Sequence, residues 1–372
     1  MTSVLPLDGT TVVDSTRMLP GAIAARMLID LGARLIKIED PGVGDPFRHA
    51  PPMLEGVGAA FAVLYRGAES VCLDLRQEPG AASLLRLARH ADVFLENFRP
   101  GTLAAWGVET KRLMDANPTL VICSLSGFGQ SGDHASRAGH DLNFTAESGL
   151  FSMFPGDAMP RVPFSDVSGG LLGCGSILAA LLVRARTGKG CYIDQPLIAA
   201  PLPFLSWAIA DQAAGGGGLA SSLLSGALPA YRVYSCADGR RVALGALEPK
   251  FWTAFTEMIG MDGAAGLGLD AGPAGAECAR KVAEIMSTLP RDHWIGVASR
   301  ANVPLSPVAD LDEAVYEQRG PIAPYLQRTA AGGRTFVVPG PFVPSIGRRD
   351  DRPAPRLGEH TRRVLDEFCA AP

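Results

Sequence analysis

Most of the features that mark nucleic-acid, zinc-binding or exported proteins are missing from this chain. Across 372 residues, 34 basic and 38 acidic side chains leave a formal net charge of −4. No surplus of positive charge is therefore present to attract nucleic acid or an anionic membrane. The seven cysteines, Cys72, Cys123, Cys174, Cys191, Cys236, Cys278 and Cys369, are odd in number and never spaced as CxxC. That pattern argues against a disulfide framework or a zinc site and fits a reducing cytoplasm, so no metal is expected. The opening MTSVLPLDGT lacks the basic and apolar regions of a signal peptide, and apolar runs such as LLGCGSILAALLV read as too short to span a bilayer. There is no internal repeat, Walker loop, HExxH or GxSxG. A soluble cytoplasmic protein with neither nucleic-acid nor membrane partner is the expectation. The final Cys369-Ala370-Ala371-Pro372 resembles a prenylation box in form, but proline is not among its usual last residues.

What the chain does have is alternation. TTVVDST, the helical AIAARMLIDLG, ARLIKIED, SVCLDL, the helical AASLLRLARH, ADVFLEN and TLVICSLS follow one another in a βαβ rhythm. This predicts an α/β fold with a parallel sheet covered by helices on both faces, a Rossmann-like domain. A chain this long exceeds what one core usually holds. After Asp194, an apolar stretch leads into Gly215 to Gly218, read as a flexible link. The strands YRVYSC and RRVALGAL around Ala237-Asp238-Gly239 then open a smaller α+β domain. The expected organisation is a large domain over 1–195 completed by 335–372, a linker over 196–229, a small domain over 230–310 and a return linker over 311–334. RLGEHTRRVLDEF reads as a closing helix, and Trp106, Trp207, Trp252 and Trp294 read as packing residues.

Three acids stand where helices should begin. Gly139-His140-Asp141-Leu142-Asn143 puts an imidazole beside a carboxylate of the residue type that caps a helix, ahead of the helical AESGLFSM. Phe164-Ser165-Asp166-Val167-Ser168-Gly169-Gly170 opens a long apolar helix closed at Thr187-Gly188, with two glycines that permit close approach to the backbone. Glu248 follows the strand RVALGAL, with Pro249 in the first helical position of the next helix. Each acid alone reads as a structural cap; together they define a proton-handling pair and its support. Gly127-Phe128-Gly129-Gln130-Ser131-Gly132 matches GxGxxG, but DHASRAGHDLN after it is not helical, so the context for binding a dinucleotide is missing.

PLDGTTVVDSTRMLPGAIAARMLIDLGARLIKIEDPGVGDPFR, RGAESVCLDLRQEPG, ADVFLENFRPGTLAAWGV, NPTLVICSLSGFGQSG, RTGKGCYID and the tail APRLGEHTRRVLDE resemble the class III coenzyme A transferase family, also named for carnitine and bile-acid CoA transferases. The resemblance covers nearly the whole chain and implies that family's fold and an interlocked homodimer. It also implies one of two chemistries. Transferases use an Asp, matched by Asp166, as nucleophile; 2-methylacyl-CoA racemases use a Glu-supported His with the same Asp. GHDLN and YRVYSCADGRRVALGALEPKF resemble the racemase motifs, so the resemblance implies His140, Asp166 and Glu248 as the catalytic set, with Glu248 supplied by the other subunit. Leu19 stands where formyl-CoA transferases carry Gln, and Val162 stands where racemases carry Asn.

An acyl-CoA thioester is then the expected substrate, with no other cofactor. By the same resemblance Leu73, Arg76, Asn97 and Phe98 line the adenine and phosphate end and Asp141 lies near the thioester, with Arg48 and Arg99 as further basic candidates. A class III CoA transferase and a non-catalytic acyl-CoA-binding protein are the alternatives. His49, His90, His134, His293 and His360 read as surface or core histidines.

Overall fold

The computed structural model describes residues 4–154, 156, 159–217, 219–316, 320–331, 334–347 and 352–369. Two compact units result: Met1–Phe204 with Pro321–Pro372, and Leu205–Gly320.

Six strands form the sheet of the first unit: β1 (Thr11–Asp14), β2 (Arg34–Glu39), β3 (Glu69–Cys72), β4 (Val93–Glu96), β5 (Val121–Ser126) and β6 (Cys191–Pro196). All pairings are parallel, in the order β3-β2-β1-β4-β5-β6. Strands covered on both faces need apolar residues at successive positions, which explains the near-continuous runs in the sequence. Val12, Leu35, Val93 and Val121 face one core, with helices α1 (Met18–Asp30) and α4 (Phe164–Thr187) over them. Their neighbours Val13, Ile36, Phe94 and Ile122 face the opposite core, under α2 (Glu78–His90) and the closing helix Thr361–Cys369. The short α3 (Asp141–Glu147) lies between β5 and α4 in the chain. The chain builds outward from β1 to β3 and then crosses back to β4. Loops therefore diverge between β1 and β4, and a crevice opens beyond the carboxyl ends of these strands.

Helix α4 corrects one expectation. It takes in the residues flanking its apolar run and spans 24 residues, with a best 18-residue window of mean hydropathy 1.7, so by length and composition it could cross a bilayer. It packs along α1. A methyl on Gly170 would stand 2.5 Å from the Pro20 carbonyl oxygen, a backbone atom, so that position needs glycine; one on Gly169 would stand 2.3 Å from the end of the Leu197 side chain, which would have to move. Gly188, at φ 69°, closes the helix in the left-handed region.

The stretch 196–229 is more ordered than a linker. Helices Leu202–Ala213 and Leu219–Leu224 occupy it, formed by its apolar residues, while Gly215, Gly216 and Gly217, all at positive φ, lie between them; Gly218 lies outside the described residues. The unit boundaries fall at Phe204/Leu205 and Gly320/Pro321. Within 311–334, Leu326–Ala331 pairs with Arg334–Pro339 as an antiparallel hairpin.

The second unit holds a three-stranded antiparallel sheet of β7 (Tyr231–Ser235), β8 (Arg241–Gly245) and β9 (Leu305–Pro307), in the order β9-β8-β7. Helices α5 (Pro249–Met258), α6 (Pro273–Met286) and α7 (Arg291–Ala301) pack on it around Tyr234, Val242, Phe255, Val282 and Met286. Trp252 and Trp294 are buried here, their indole N–H groups donating to the carbonyls of Ala264 (2.7 Å) and Met286 (2.9 Å). Trp207 departs from the packing role expected of it: it is exposed on the apolar helix Leu202–Ala213, as are Leu202, Phe204 and Ile209.

Candidate active site

Two cavities open beyond the carboxyl ends of the strands. The smaller, about 120 Å³, is lined by Thr16, Arg17, Glu39, Asp40, Leu73 and Arg76 among others. The larger, about 370 Å³, is lined among others by Arg17, Asn97, Arg99, His140, Asp141 and Asp166. Arg17, three residues after β1, and Phe98, two residues after β4, line both. The shared wall thus stands at the point where the strand order reverses.

The larger cavity brings His140, Asp141 and Asp166 together. The cap of α3 is His140 and not Asp141: its backbone is extended (φ −124°, ψ 176°), and its N–H donates to Asn143 Oδ1 at 3.0 Å. Asp141 is instead the first helical residue, and its carboxylate turns to another task. Its Oδ1 accepts the backbone N–H of Asp166 at 2.9 Å, joining the first turns of α3 and α4. The buried hydroxyls of Thr145 and Ser165, 2.9 Å apart, join the same two helices. The expected helix AESGLFSM ends early, at Glu147, and resumes as a 3-10 turn over Leu150–Met153.

Asp166 sits in the first turn of α4 and faces the cavity with no hydrogen-bond donor on its carboxylate among the described residues. Burial, reinforced by the charge of Asp141, pushes its carboxyl up to about 7. His140 is exposed. Near neutral pH the site therefore pairs an imidazole with a carboxyl that exists in both protonation states. Val162 is exposed, at 50%.

Glu248 is the N-cap of α5, extended at φ −77° and ψ 140°, with Pro249 in the first helical position. It is exposed and belongs to the second unit, whereas every residue lining the larger cavity belongs to the first.

The residues expected at the nucleotide end divide. Leu73, Arg76 and Phe98 line the smaller cavity, and Asn97 and Phe98 the larger. Arg76 is paired with Asp40 (2.6 Å) and Asp74 (2.8 Å), so much of its charge is already matched. Asn97 spends its side-chain amide on the backbone of Arg17, accepting from its N–H at 2.8 Å and donating to its carbonyl at 2.7 Å. Arg48 is buried and bidentate to Glu39 (2.7 Å to each oxygen), which makes it a structural residue. Arg99 lines the larger cavity. His134 lies beside Phe128, His90 beside Phe368 and His293 beside Trp294, while His49 bonds the Val43 carbonyl and His360 accepts from Ser70 N–H. Among the described residues no His, Cys, Asp and Glu cluster could hold a metal.

Sequence reasoning missed two residues. Arg17 lies 5.3 Å over the Phe98 ring, held there by Asn97. Lys37 is fully buried, 3.4 Å from Asp14 and 3.2 Å from Asp45, and donates to the Thr16 carbonyl, so it fixes the backbone just before Arg17. The available signals were a lysine inside the apolar strand RLIKIE and an arginine at the carboxyl end of β1.

The pattern of the family described as CoA-transferase family III matches residues 7–361. The chain is 32% identical to the alpha-methylacyl-CoA racemase of Homo sapiens over 381 residues, 98% of this chain and 94% of that protein. It is 34% identical to the acetyl-CoA:oxalate CoA-transferase of Acetobacter aceti over 391 residues, covering 98% and 96%. Among solved structures, a CAIB/BAIF family protein from Brucella suis superposes with a TM-score of 0.82 at 28% identity, covering 98% of this chain and all of that one. The fold matches that structure over nearly the whole chain, and the chain belongs to the class III coenzyme A transferase family.

Proposed function

We propose that this protein is a 2-methylacyl-CoA racemase, inverting the carbon next to a CoA thioester by proton removal on one face and proton delivery on the other. The observation that carries the reading is the cavity shared by His140 and Asp166, with the Asp166 carboxyl held near 7. A proton beside a thioester is weakly acidic, so its removal needs a positioned base of matched pKa and stabilisation of the enolate oxygen. Asp166 near 7 is both a competent base and a competent acid at neutral pH. His140 serves the opposite face, and the amide dipoles at the start of α4 favour the negative charge that develops.

Glu248 orients His140 from the partner subunit of an interlocked homodimer and supports its charged form. Its exposure at the start of α5 supports this assignment, as does the uncovered apolar surface of Leu202, Phe204, Trp207 and Ile209. CoA enters as part of the substrate, with its nucleotide at the Leu73, Phe98 and Arg17 wall. No other cofactor, nucleic acid or membrane is part of the reading, and the protein works in the cytoplasm.

A transferase reading draws on the A. aceti relative and on Asp166 itself. A cavity-facing carboxylate without a donor is also placed to attack a thioester, giving an acyl anhydride on Asp166 and releasing the CoA thiolate. Incubating the purified protein with one epimer of a 2-methylacyl-CoA and no acceptor acid separates the two. Equilibration of the epimers supports the racemase; an unchanged epimer, with CoA moving to an added carboxylic acid, supports the transferase.

A further inference from the structure

Three adjacent strands share one polar rung near their carboxyl ends. Glu96 on β4 pairs in register with Ser124 on β5, and Ser124 with Asp194 on β6. Neither carboxylate lines either of the two cavities at the switch point. Each instead holds a loop that does. Glu96, 4% exposed, accepts the backbone N–H of Phe98 at 2.7 Å. Asp194 accepts the backbone N–H of Gln130 at 2.8 Å. The Gln130 side chain closes the gap, its Nε2 3.4 Å from Glu96 Oε1 and 3.5 Å from the Phe98 carbonyl. The first loop supplies Asn97, Phe98 and Arg99 to the larger cavity; the second begins with Gly127, which lines the same cavity.

We propose that Glu96 and Asp194 are positioning residues: they tether the 97–99 and 127–130 loops to the sheet, so that the CoA-binding wall stands formed before the ligand arrives. The inference rests on the acyl-CoA reading above, but its physical ground is separate. A buried carboxyl placed beside a second acid weakens the fold: burial pushes Glu96 up to about 7, and Asp194 adds to the shift. Around Glu96 stand Ser124, Asp194 and Tyr192 from the sheet, Gln130 from the second loop, and Arg99 and Glu109 on the same cavity of about 100 Å³. Sites that break a stability rule in this way are expected where geometry matters more than stability. A carboxylate accepts a backbone N–H more strongly than an amide oxygen does, and it fixes the angle of the loop leaving the strand.

The test uses the intact protein at about pH 8.5, above the Glu96 value of about 7 so that its carboxyl is ionised, with free CoA as probe, in Glu96→Gln and Asp194→Asn. Three readouts are taken: calorimetric CoA affinity, hydrogen exchange of the two loop segments, and thermal midpoint. The expected result is CoA binding weakened about tenfold, the scale separating a charged from a neutral acceptor. It is accompanied by faster exchange confined to the 97–101 and 127–131 segments and a thermal midpoint within a few degrees of wild type. Restoration of slow exchange in Glu96→Asp would further support a directed carboxylate. Unchanged exchange and unchanged affinity in both variants would overturn the proposal. Should Glu96→Gln fail to fold, Asp194→Asn alone decides, through the exchange of the 127–131 segment. Absence of CoA binding by the wild type would count against the acyl-CoA reading, while the exchange contrast would still decide the tethering.

Discussion

The backbone N–H of Asp166 donates to the Asp141 carboxylate at 2.9 Å, so the residue that locks α4 against α3 also places a negative charge beside the Asp166 side chain. One contact therefore does two things. It fixes where the carboxyl stands, and it helps keep that carboxyl near 7.

Replacing Asp141 with Asn separates the two effects, because the amide oxygen can still accept the Asp166 N–H while the charge is gone. The Asp166 carboxyl is expected to fall from about 7 toward the ordinary carboxylate range, with burial alone keeping part of the shift. Carbon-13 NMR titration of the aspartate carboxyls measures this. An unmoved titration would remove Asp141 from the electrostatics of the site.

The Asp166 shift also has a stability consequence with a definite sign. Its carboxyl sits at about 7 when folded and at 3.8 when unfolded, so the fold prefers the protonated form. The favourable contribution is complete below the unfolded value and is lost as pH rises through about 7. Asp166→Asn, neutral throughout, should gain on wild type as pH rises. The gap in thermal midpoint between variant and wild type is expected to widen in the variant's favour from pH 4 to pH 8, and a constant gap would contradict the shift.

Lys37 is the sole cation within ion-pair reach of two fully buried carboxylates, Asp14 and Asp45, among the described residues. Lys37→Met leaves both without a counter-charge, and breaking a buried pair of this kind costs about 3–5 kcal/mol. Urea unfolding measures the loss. A change under about 1 kcal/mol would mean that the cluster contributes little.

Arg17 and Arg76 should differ as CoA contacts. Arg76 is already matched by Asp40 and Asp74, whereas the Arg17 guanidinium is held over Phe98 at the wall common to both cavities. Arg17→Ala is expected to raise KM for an acyl-CoA about tenfold, the scale of one lost charge-assisted contact, and Arg76→Ala to raise it less. Steady-state kinetics on both variants checks the order.

Much of this arrangement is legible from sequence, for identifiable reasons. Strands buried on both faces announce themselves as TVVD, RLIKIE, VFLE and VICSLS, and the βαβ rhythm between them predicts the parallel sheet. Asp166 and Glu248 are findable because helix starts carry local signals, a proline at the first position for Glu248 and a long apolar helix behind Asp166. What escapes is set by tertiary packing. Nothing local to RLIKIE distinguishes a solvated lysine from one buried between two aspartates. Asn97 bonds Arg17, 80 residues away, and Arg76 adds to its neighbour Asp74 a second partner, Asp40, 36 residues away, so neither role can be read in full from its own segment. The partner of the Asp141 carboxylate, the Asp166 N–H, lies 25 residues further on, so that contact too is hidden from its own segment.

Deuterium wash-in tests the central claim most directly. The protein is incubated in D₂O with each epimer of a 2-methylacyl-CoA in turn, without any acceptor acid, and the α-hydrogen is followed by NMR in wild type, His140→Ala and Asp166→Asn. The account predicts incorporation from both epimers in wild type. It predicts that each variant loses incorporation chiefly from the epimer whose proton that residue removes, by a factor on the order of 10²–10⁴. No incorporation in wild type, with CoA passing to an added free acid and a hydroxylamine-sensitive species forming on Asp166, would contradict it.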